Sequence, residues 1–108
     1  MEITNERFGD TVVARFGGSI DTNTAPKALE HFDALVDGDA SVIVANFASV
    51  DFVSSAGLRV LLATAKRIGS SGSLRLCGLN PSVREVFDVS GFSTIFTIFD
   101  DESSALAG

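Results

Sequence analysis

The sequence predicts an α/β fold, in which a mixed β-sheet of four to five strands opens with a hairpin and packs against about four helices. Two short β-prone segments at the start of the chain flank Gly9-Asp10, which is typical of a hairpin turn. After the hairpin, segments with helical spacing alternate with strand-like segments, a pattern that indicates helical crossovers between strands. The 108 residues fit one domain over residues 1–108 with a core of its own.

The first half of the chain begins with the hairpin, which we predict over residues 2–16. The segment 17–24, GGSIDTNT, follows as a loop, and Asn23 or Thr24 can cap a helix with Pro26 in its first turn. The apolar residues of this helix recur at helical spacing and predict a buried face made of Ala25, Ala28, Leu29, Phe32, Leu35 and Val36. The polar, solvent-facing side is predicted to carry Lys27, Glu30, His31, Asp33 and Asp37.

The middle of the chain predicts a buried central strand and a second helix, joined by a loop. The strand is SVIVANF, residues 41–47, a short and continuous apolar run. The helix covers residues 55–68 and ends at Gly69. Its inner face is predicted to carry Leu58, Leu61, Leu62, Ala65 and Ile68, and its outer face Arg59, Lys66 and Arg67.

The last third of the chain contains a strand, a third helix and a short terminal helix. The strand is SLRLCGL, residues 73–79, and the third helix begins at Asn80-Pro81 and stops at Gly91. The apolar face of this helix is predicted to carry Val83, Val86 and Phe87. TIFTIF, residues 94–99, is either a last strand or an apolar arm, and residues 100–106 are predicted to be helical.

Composition excludes several classes of function. The net charge of −6 repels phosphate backbones, so nucleic acid is not an expected partner. With one histidine and one cysteine, the chain has neither a His/Cys metal site nor an expected cofactor. No apolar stretch reaches the ~18 residues of a membrane span, and the N-terminus lacks the features of a signal peptide. A single cysteine, Cys77, suits a reducing cytoplasm and is expected to be a small buried apolar residue.

Two adjacent serines, Ser54 and Ser55, follow the central strand at the start of the second helix. Ser54 has the preferred position of an N-cap, whereas Ser55 lies one residue inside and is expected to point its hydroxyl outward. If the strands on either side of the first helix are parallel, the 17–23 loop lies at the same edge of the sheet. Asp21, Thr22 and Asn23 would then be neighbours of the two serines.

Enzymatic interpretations of these residues are weaker. A serine hydrolase elbow needs glycine two residues before the nucleophile, and that position holds Val53. The only histidine available as a base, His31, is predicted on a solvated helix face. The segment GGSIDT lacks both a dinucleotide fingerprint and the lysine of a phosphate-binding loop.

Three stretches resemble the STAS family, specifically bacterial anti-sigma factor antagonists. GSIDTNTA (18–25) is similar to the family's loop into its first helix, and DFVSSAGLRVLL (51–62) resembles the strand–loop–helix that carries its regulatory phosphoserine. NPSVREVFDVSGF (80–92) is similar to the family's third helix and the turn after it. The three occur in the family's order and spacing along nearly the whole chain.

The resemblance implies a cytoplasmic binding protein that is not an enzyme. Its unphosphorylated form would bind an anti-sigma factor that is also a serine-protein kinase of the histidine-kinase-like ATPase type, and so release a sigma factor. Phosphorylation would end the contact, and a metal-dependent serine phosphatase would restore it. Alignment on Gly57 and Leu58 puts the phosphoacceptor at Ser55, and Asp21 matches the family's loop aspartate.

The motif departs from the family's common Asp-Ser-Ser-Gly form, because Ser54 stands at the aspartate position and Ala56 follows the acceptor. Ser54 therefore remains an alternative acceptor. The expected partner-binding residues are Asp21, Thr22, Asn23, Ser54, Ser55, Ala56, Gly57 and Arg59. The alternative function is a constitutive, non-enzymatic STAS subunit of a transporter or sensory complex, in which the serines only cap a helix.

Overall fold

The computed structural model describes residues 1–108, and the chain opens with the predicted hairpin. Strands β1 (Glu2–Phe8) and β2 (Thr11–Ile20) pair antiparallel, from Glu2 opposite Gly17 to Phe8 opposite Thr11. Gly9, in the turn, has a φ of +61°, a conformation that glycine adopts without strain. The hairpin prediction is confirmed.

Helices and parallel strands alternate after the hairpin. The elements in chain order are α1 (Ala25–Asp37), β3 (Val42–Val53), α2 (Ser55–Ile68), β4 (Ser73–Cys77), α3 (Pro81–Ser90), a 3₁₀ turn (Phe92–Thr94), β5 (Thr97–Phe99) and α4 (Glu102–Ala107). The five strands lie in the order β1-β2-β3-β4-β5, and every pair after the first is parallel. The predicted mixed sheet with four helices is confirmed.

The two faces of the sheet have different cores. The larger core lies under α1, α2 and α3, and Phe16 of β2 is at its centre, 5.1 Å from the Phe32 ring and 5.4 Å from the Phe47 ring between centroids. Each such buried side chain contributes roughly 1.5–3 kcal/mol to stability. The smaller core, under α4, contains Val13, Val44, Cys77 and Ala105. Burial raises the pKa of the Cys77 thiol to about 11, which agrees with its predicted role as a buried apolar residue.

Both central strands are longer than the sequence predicts. The sequence predicts a loop over residues 17–20, but these residues continue β2, and β3 extends past residue 47 to Val53. The added residues pair with each other, with Gly17 opposite Ser49 and Ile20 opposite Val53. Two register shifts along β2 interrupt the regular alternation, so local pattern did not reveal this pairing. The predicted loop before α2 therefore does not exist.

The helix boundaries agree closely with prediction. Helix α2 covers Ser55–Ile68, and α3 begins after Asn80, whose side chain accepts a hydrogen bond from the Val83 N–H over 2.8 Å. At the other end of α3, Gly91 adopts the left-handed conformation. The 94–99 segment contains the end of the 3₁₀ turn and the three-residue strand β5, so the strand alternative is correct for its second half.

His31 differs from its predicted solvated environment. The ring is partly buried, with Nε2 2.7 Å from the Asn5 Oδ1 atom of β1 and its centroid 6.2 Å from that of Phe16. Burial lowers the pKa of His31, and the positive charge of Lys27 lowers it further. The hairpin packs β1 beside α1, a contact that helical periodicity alone does not predict. No helix of the chain combines the length and apolar character needed to cross a membrane.

Candidate functional site

The two serines lie where β3 ends and α2 begins. Ser54 is the N-cap residue, and its Oγ atom accepts a long hydrogen bond, 3.4 Å, from the N–H of Gly57. The backbone N–H of Ser54 donates to the carbonyl oxygen of Ile20, the last residue of β2, over 2.8 Å. The start of α2 is therefore fixed directly to the end of the neighbouring strand, and the predicted capping role of Ser54 is confirmed.

Gly57 allows α2 to approach the sheet closely. A Cβ atom at this position would lie 2.9 Å from Ile20 Cγ2, 2.9 Å from Val53 Cγ1 and 3.0 Å from the Ile20 carbonyl oxygen. Any larger residue would push the helix start away from the two strands. Gly57 is buried, so it acts on the site by positioning α2.

The turn at residues 21–24 is held together by Asp21 and Thr24. One carboxylate oxygen of Asp21 accepts from the N–H of Asn23 at 2.9 Å and from the N–H of Thr24 at 3.1 Å. Thr24 Oγ1 accepts from the Asp21 N–H at 2.9 Å and donates to the Ser19 carbonyl oxygen at 2.8 Å. Asp21 thus holds its own turn, and no hydrogen bond joins it to either serine. Thr24 occupies the N-cap position of α1 without making a side-chain cap bond.

The predicted partner-binding residues divide by exposure. Thr22, Asn23, Ser55 and Arg59 are exposed, whereas Asp21, Ser54 and Ala56 are partly buried. The hydroxyl of Ser55 has no hydrogen-bond partner within the chain, so it is free for solvent or a reagent. The parallel pairing of β2 and β3 puts the 21–24 turn and the helix start at one edge of the sheet, as predicted.

Arg59 is the one arginine whose guanidinium has no acceptor within the chain. Each of the others donates to a carboxylate or a carbonyl oxygen: Arg7 to Asp39, Arg15 to Glu6 and Glu102, Arg67 to Asp33 and Asp37, Arg75 to the Ala105 carbonyl, and Arg84 to Asp88. Arg59 follows Ser55 by four residues on α2, which is the spacing of neighbours on a helix surface. The exposed hydroxyl and the unpaired cation therefore share one helix face.

The arrangement lacks the parts of a nucleophilic centre. His31 contacts Asn5 at the hairpin, and neither serine has a hydrogen bond to a histidine or a carboxylate. What the site offers instead is a solvent-exposed hydroxyl at a helix N-terminus, where free N–H groups and the helix dipole favour an added negative charge.

Comparison with known proteins gives the family. Residues 2–105 match the sequence model of the family described as STAS domain. The chain belongs to the STAS domain family. This STAS domain is 35% identical over 108 residues to BtrV of Bordetella bronchiseptica, provisionally described as an anti-sigma factor antagonist, with 99% of this chain and 93% of BtrV covered. It is 30% identical over 108 residues to the anti-sigma F factor antagonist of Paenibacillus polymyxa, with 98% of this chain and 92% of that protein covered.

Solved structures have the same fold as this STAS domain. An anti-sigma factor antagonist from Mycobacterium paratuberculosis matches it with a TM-score of 0.92 at 24% identity, covering 98% of this chain and 91% of that chain. The Bacillus cell fate determinant SpoIIAA in its phosphorylated form matches with a TM-score of 0.76 at 24% identity, covering 98% and 97% respectively. These likenesses extend over the whole sheet and its helices.

Sequence reasoning missed the backbone component of the site. The carbonyl oxygen of Ile20 fixes the start of α2, yet any residue supplies a carbonyl, so no side-chain signal marks it. In the sequence, only the small residues Ala56 and Gly57 indicate that the start of α2 packs closely against β2 and β3.

Proposed function

We propose that this STAS domain is an anti-sigma factor antagonist whose binding is switched by phosphorylation of Ser55. The unphosphorylated form binds an anti-sigma factor that is also a serine kinase and thereby releases a sigma factor. The observation that carries the proposal is the free, exposed Ser55 hydroxyl beside the 21–24 turn and Arg59, on a sheet edge fixed by the Ser54–Ile20 bond. The names of BtrV and of the Paenibacillus relative support the antagonist function.

The phosphoacceptor is Ser55, with Ser54 as the alternative. Ser54 is partly buried, and its oxygen already accepts the cap bond from Gly57, whereas the Ser55 hydroxyl is exposed and unengaged. In the reaction, the γ-phosphoryl group of ATP passes to Ser55 Oγ, ADP leaves and the hydroxyl proton is released. A metal-dependent serine phosphatase reverses the modification by hydrolysis. The STAS domain is the substrate of both reactions and catalyses neither of them.

Electrostatics can supply the switch without refolding. A phosphoserine adds ~1.5–2 negative charges, and the helix N-terminus accommodates them within the chain. If the fraction of the domain bound to its partner is to fall from nearly all to almost none, the two forms must differ in binding free energy by about 5.5 kcal/mol. A phosphate dianion that lies opposite an acidic group of the partner, or that is buried in the interface without a cation, costs several kcal/mol of binding free energy. Arg59 can pair with the phosphate internally, which would remove a cation from the contact with the partner.

The test combines mass spectrometry with calorimetry. The chain has no Trp or Tyr, so binding is followed by heat, using a purified serine-kinase anti-sigma factor from the same genome. We expect the wild type and Ser55→Ala to bind it, Ser55→Asp to bind at least ~10-fold more weakly, and ATP to add one phosphate to the wild type but none to Ser55→Ala.

Other outcomes would change or reject the proposal. A phosphate on Ser54 would keep the mechanism and move the site. If no such kinase binds and the protein from its native cells carries no phosphate under growth, stress or starvation, the switch is rejected. The constitutive subunit of a transporter or sensory complex would then be the better function.

A further inference from the structure

An apolar groove runs between α1 and α2 and begins beside the serines. Its volume is about 420 Å³, near the lower end of the roughly 300–1,000 Å³ of small-molecule pockets. The floor and walls are small or aliphatic side chains from both helices: Ala25, Leu29, Ala56, Val60 and Ala63. Farther along, the two helices are joined by Arg67, which donates to Asp33 at 2.9 Å and to Asp37 at 2.6 Å. The open part of the groove is therefore the part near the site.

The groove has one charged lining residue, Arg59. No carboxylate lines it, although the chain as a whole carries a net charge of −6. The guanidinium of Arg59 has no acceptor within the chain, unlike that of every other arginine. A positive, unpaired group beside an apolar groove on an acidic protein is complementary to a ligand that is apolar and carries a carboxylate.

We infer that this groove binds an amphipathic helix of the partner, which inserts a large apolar side chain between α1 and α2 and pairs a carboxylate one turn away with Arg59. The inference rests on the proposed function and names the chemistry that the anti-sigma factor must present. An amphipathic helix laid into an apolar groove presents its anchor side chains from one face, and the groove between α1 and α2 is apolar apart from Thr22 and Arg59.

The groove and the phosphoacceptor are coupled through α2. Ala56, adjacent to Ser55, lines the groove, and Arg59 is one turn from Ser55. A phosphate on Ser55 that attracts the Arg59 guanidinium removes the cation from the partner's carboxylate. The same modification therefore weakens the helix contact as well as repelling the partner at the turn.

The test uses two variants with matched controls, titrated by calorimetry into the purified serine-kinase anti-sigma factor. Ala63→Phe fills the groove about two turns from Ser55, and Ala34→Phe adds the same volume at an exposed position of α1 outside the groove. Arg59→Glu reverses the unpaired cation, and Arg84→Glu makes the same charge change on α3. We expect each groove variant to weaken binding about 10-fold or more and each control to stay within about 3-fold of wild type.

A charge swap identifies the partner's carboxylate. One Asp→Lys or Glu→Lys variant of the anti-sigma factor should restore binding to Arg59→Glu while weakening binding to the wild type. Arg59 is a surface residue, so its variant stays informative even if Ala63→Phe loses the native circular dichroism spectrum. Wild-type affinity in both groove variants, together with normal Ser55 phosphorylation, overturns the groove while leaving the proposed function intact. A wild type that neither binds nor is phosphorylated rejects both.

Discussion

The backbone N–H of Ser54 donates to the carbonyl oxygen of Ile20 over 2.8 Å, which joins the cap of α2 to the last residue of β2. This bond makes one rigid edge out of elements that are more than thirty residues apart in the chain. The 21–24 turn follows Ile20 directly and Ser55 follows Ser54 directly, so this bond, together with the pairing of Ile20 opposite Val53, fixes the position of the turn relative to Ser55.

The two serines should separate into a structural and a regulatory residue. Ser54→Ala removes an N-cap, and because the cap bond is long we expect a loss of about 0.5–1 kcal/mol in the free energy of unfolding. Ser55→Ala should change it by less than ~0.5 kcal/mol, because the exposed hydroxyl makes no bond within the chain. Urea unfolding followed by circular dichroism measures both, and Ser54→Asn should retain the cap. Equal losses from the two alanine variants would contradict this division.

Gly57→Ala should destabilise the chain and weaken partner binding together. The added methyl group would lie 2.9–3.0 Å from atoms of Ile20 and Val53, and overpacking of this kind costs roughly 1–3 kcal/mol. That cost exceeds the ~0.5–1 kcal/mol that alanine gains over glycine inside a helix. Gly17→Ala is the matched control in β2, since its Cβ would be 3.8 Å from Ser49 Cβ, an ordinary contact. Thermal unfolding that ranks Gly57→Ala as no less stable than Gly17→Ala would refute the close-packing argument.

We expect Asp21 to affect partner binding by holding the shape of the 21–24 turn, not by contacting the partner. Asp21→Ala removes the acceptor for the N–H groups of Asn23 and Thr24, and we expect both amides to exchange with deuterium faster. Asp21→Asn keeps an oxygen at the same place, so exchange and partner affinity should stay near wild type. Hydrogen exchange by NMR provides the measurement. If Asp21→Asn loses affinity while its amides stay protected, the carboxylate itself contacts the partner.

Glu102 joins α4 to the sheet, and we expect acid to weaken this attachment by protonating its carboxylate. Hydrogen bonds from Arg15, at 2.6 and 2.8 Å, lower the pKa of the Glu102 carboxyl in the folded chain, and Asn46 also donates to it. A carboxyl with a lowered folded pKa stabilises the native state above its unfolded pKa, about 4.3, and loses that contribution as the pH falls through the folded value. Glu102→Gln should therefore reduce stability at neutral pH and make the acid side of the stability curve less steep.

The control for this effect is Glu85→Gln, at an exposed position of α3 where the side chain has no cationic partner. Denaturant unfolding at a series of pH values from neutral to acid compares the three proteins. The Glu102 prediction is wrong if the difference between wild type and Glu102→Gln stays constant as the pH falls below about 4.

Much of the fold follows from local signals in the sequence. The boundaries of α2 and α3 agree with prediction because caps, helix-stopping glycines and helical spacing act over a few residues. The hairpin agrees because Gly9-Asp10 marks its turn. The sequence predicts β2 and β3 too short, because residues 18–20 and residues 48–53 become strands by pairing with each other. Contact across the sheet, rather than local preference, decides that pairing.

The sequence by itself determined the order of the helices and strands and the presence of two hydroxyls at the start of a helix. It also determined the family to which the chain belongs. Each of these depends on residue types at short spacing. Only the tertiary structure decided that Asp21 holds its own turn, that His31 is partly buried against the hairpin, and that Arg59 alone among the arginines lacks an acceptor. It also decided that the groove between α1 and α2 is open beside Ser55. These properties depend on which distant segments meet, because hydrogen bonds, burial and unpaired charge are relationships between surfaces that only the folded chain brings together.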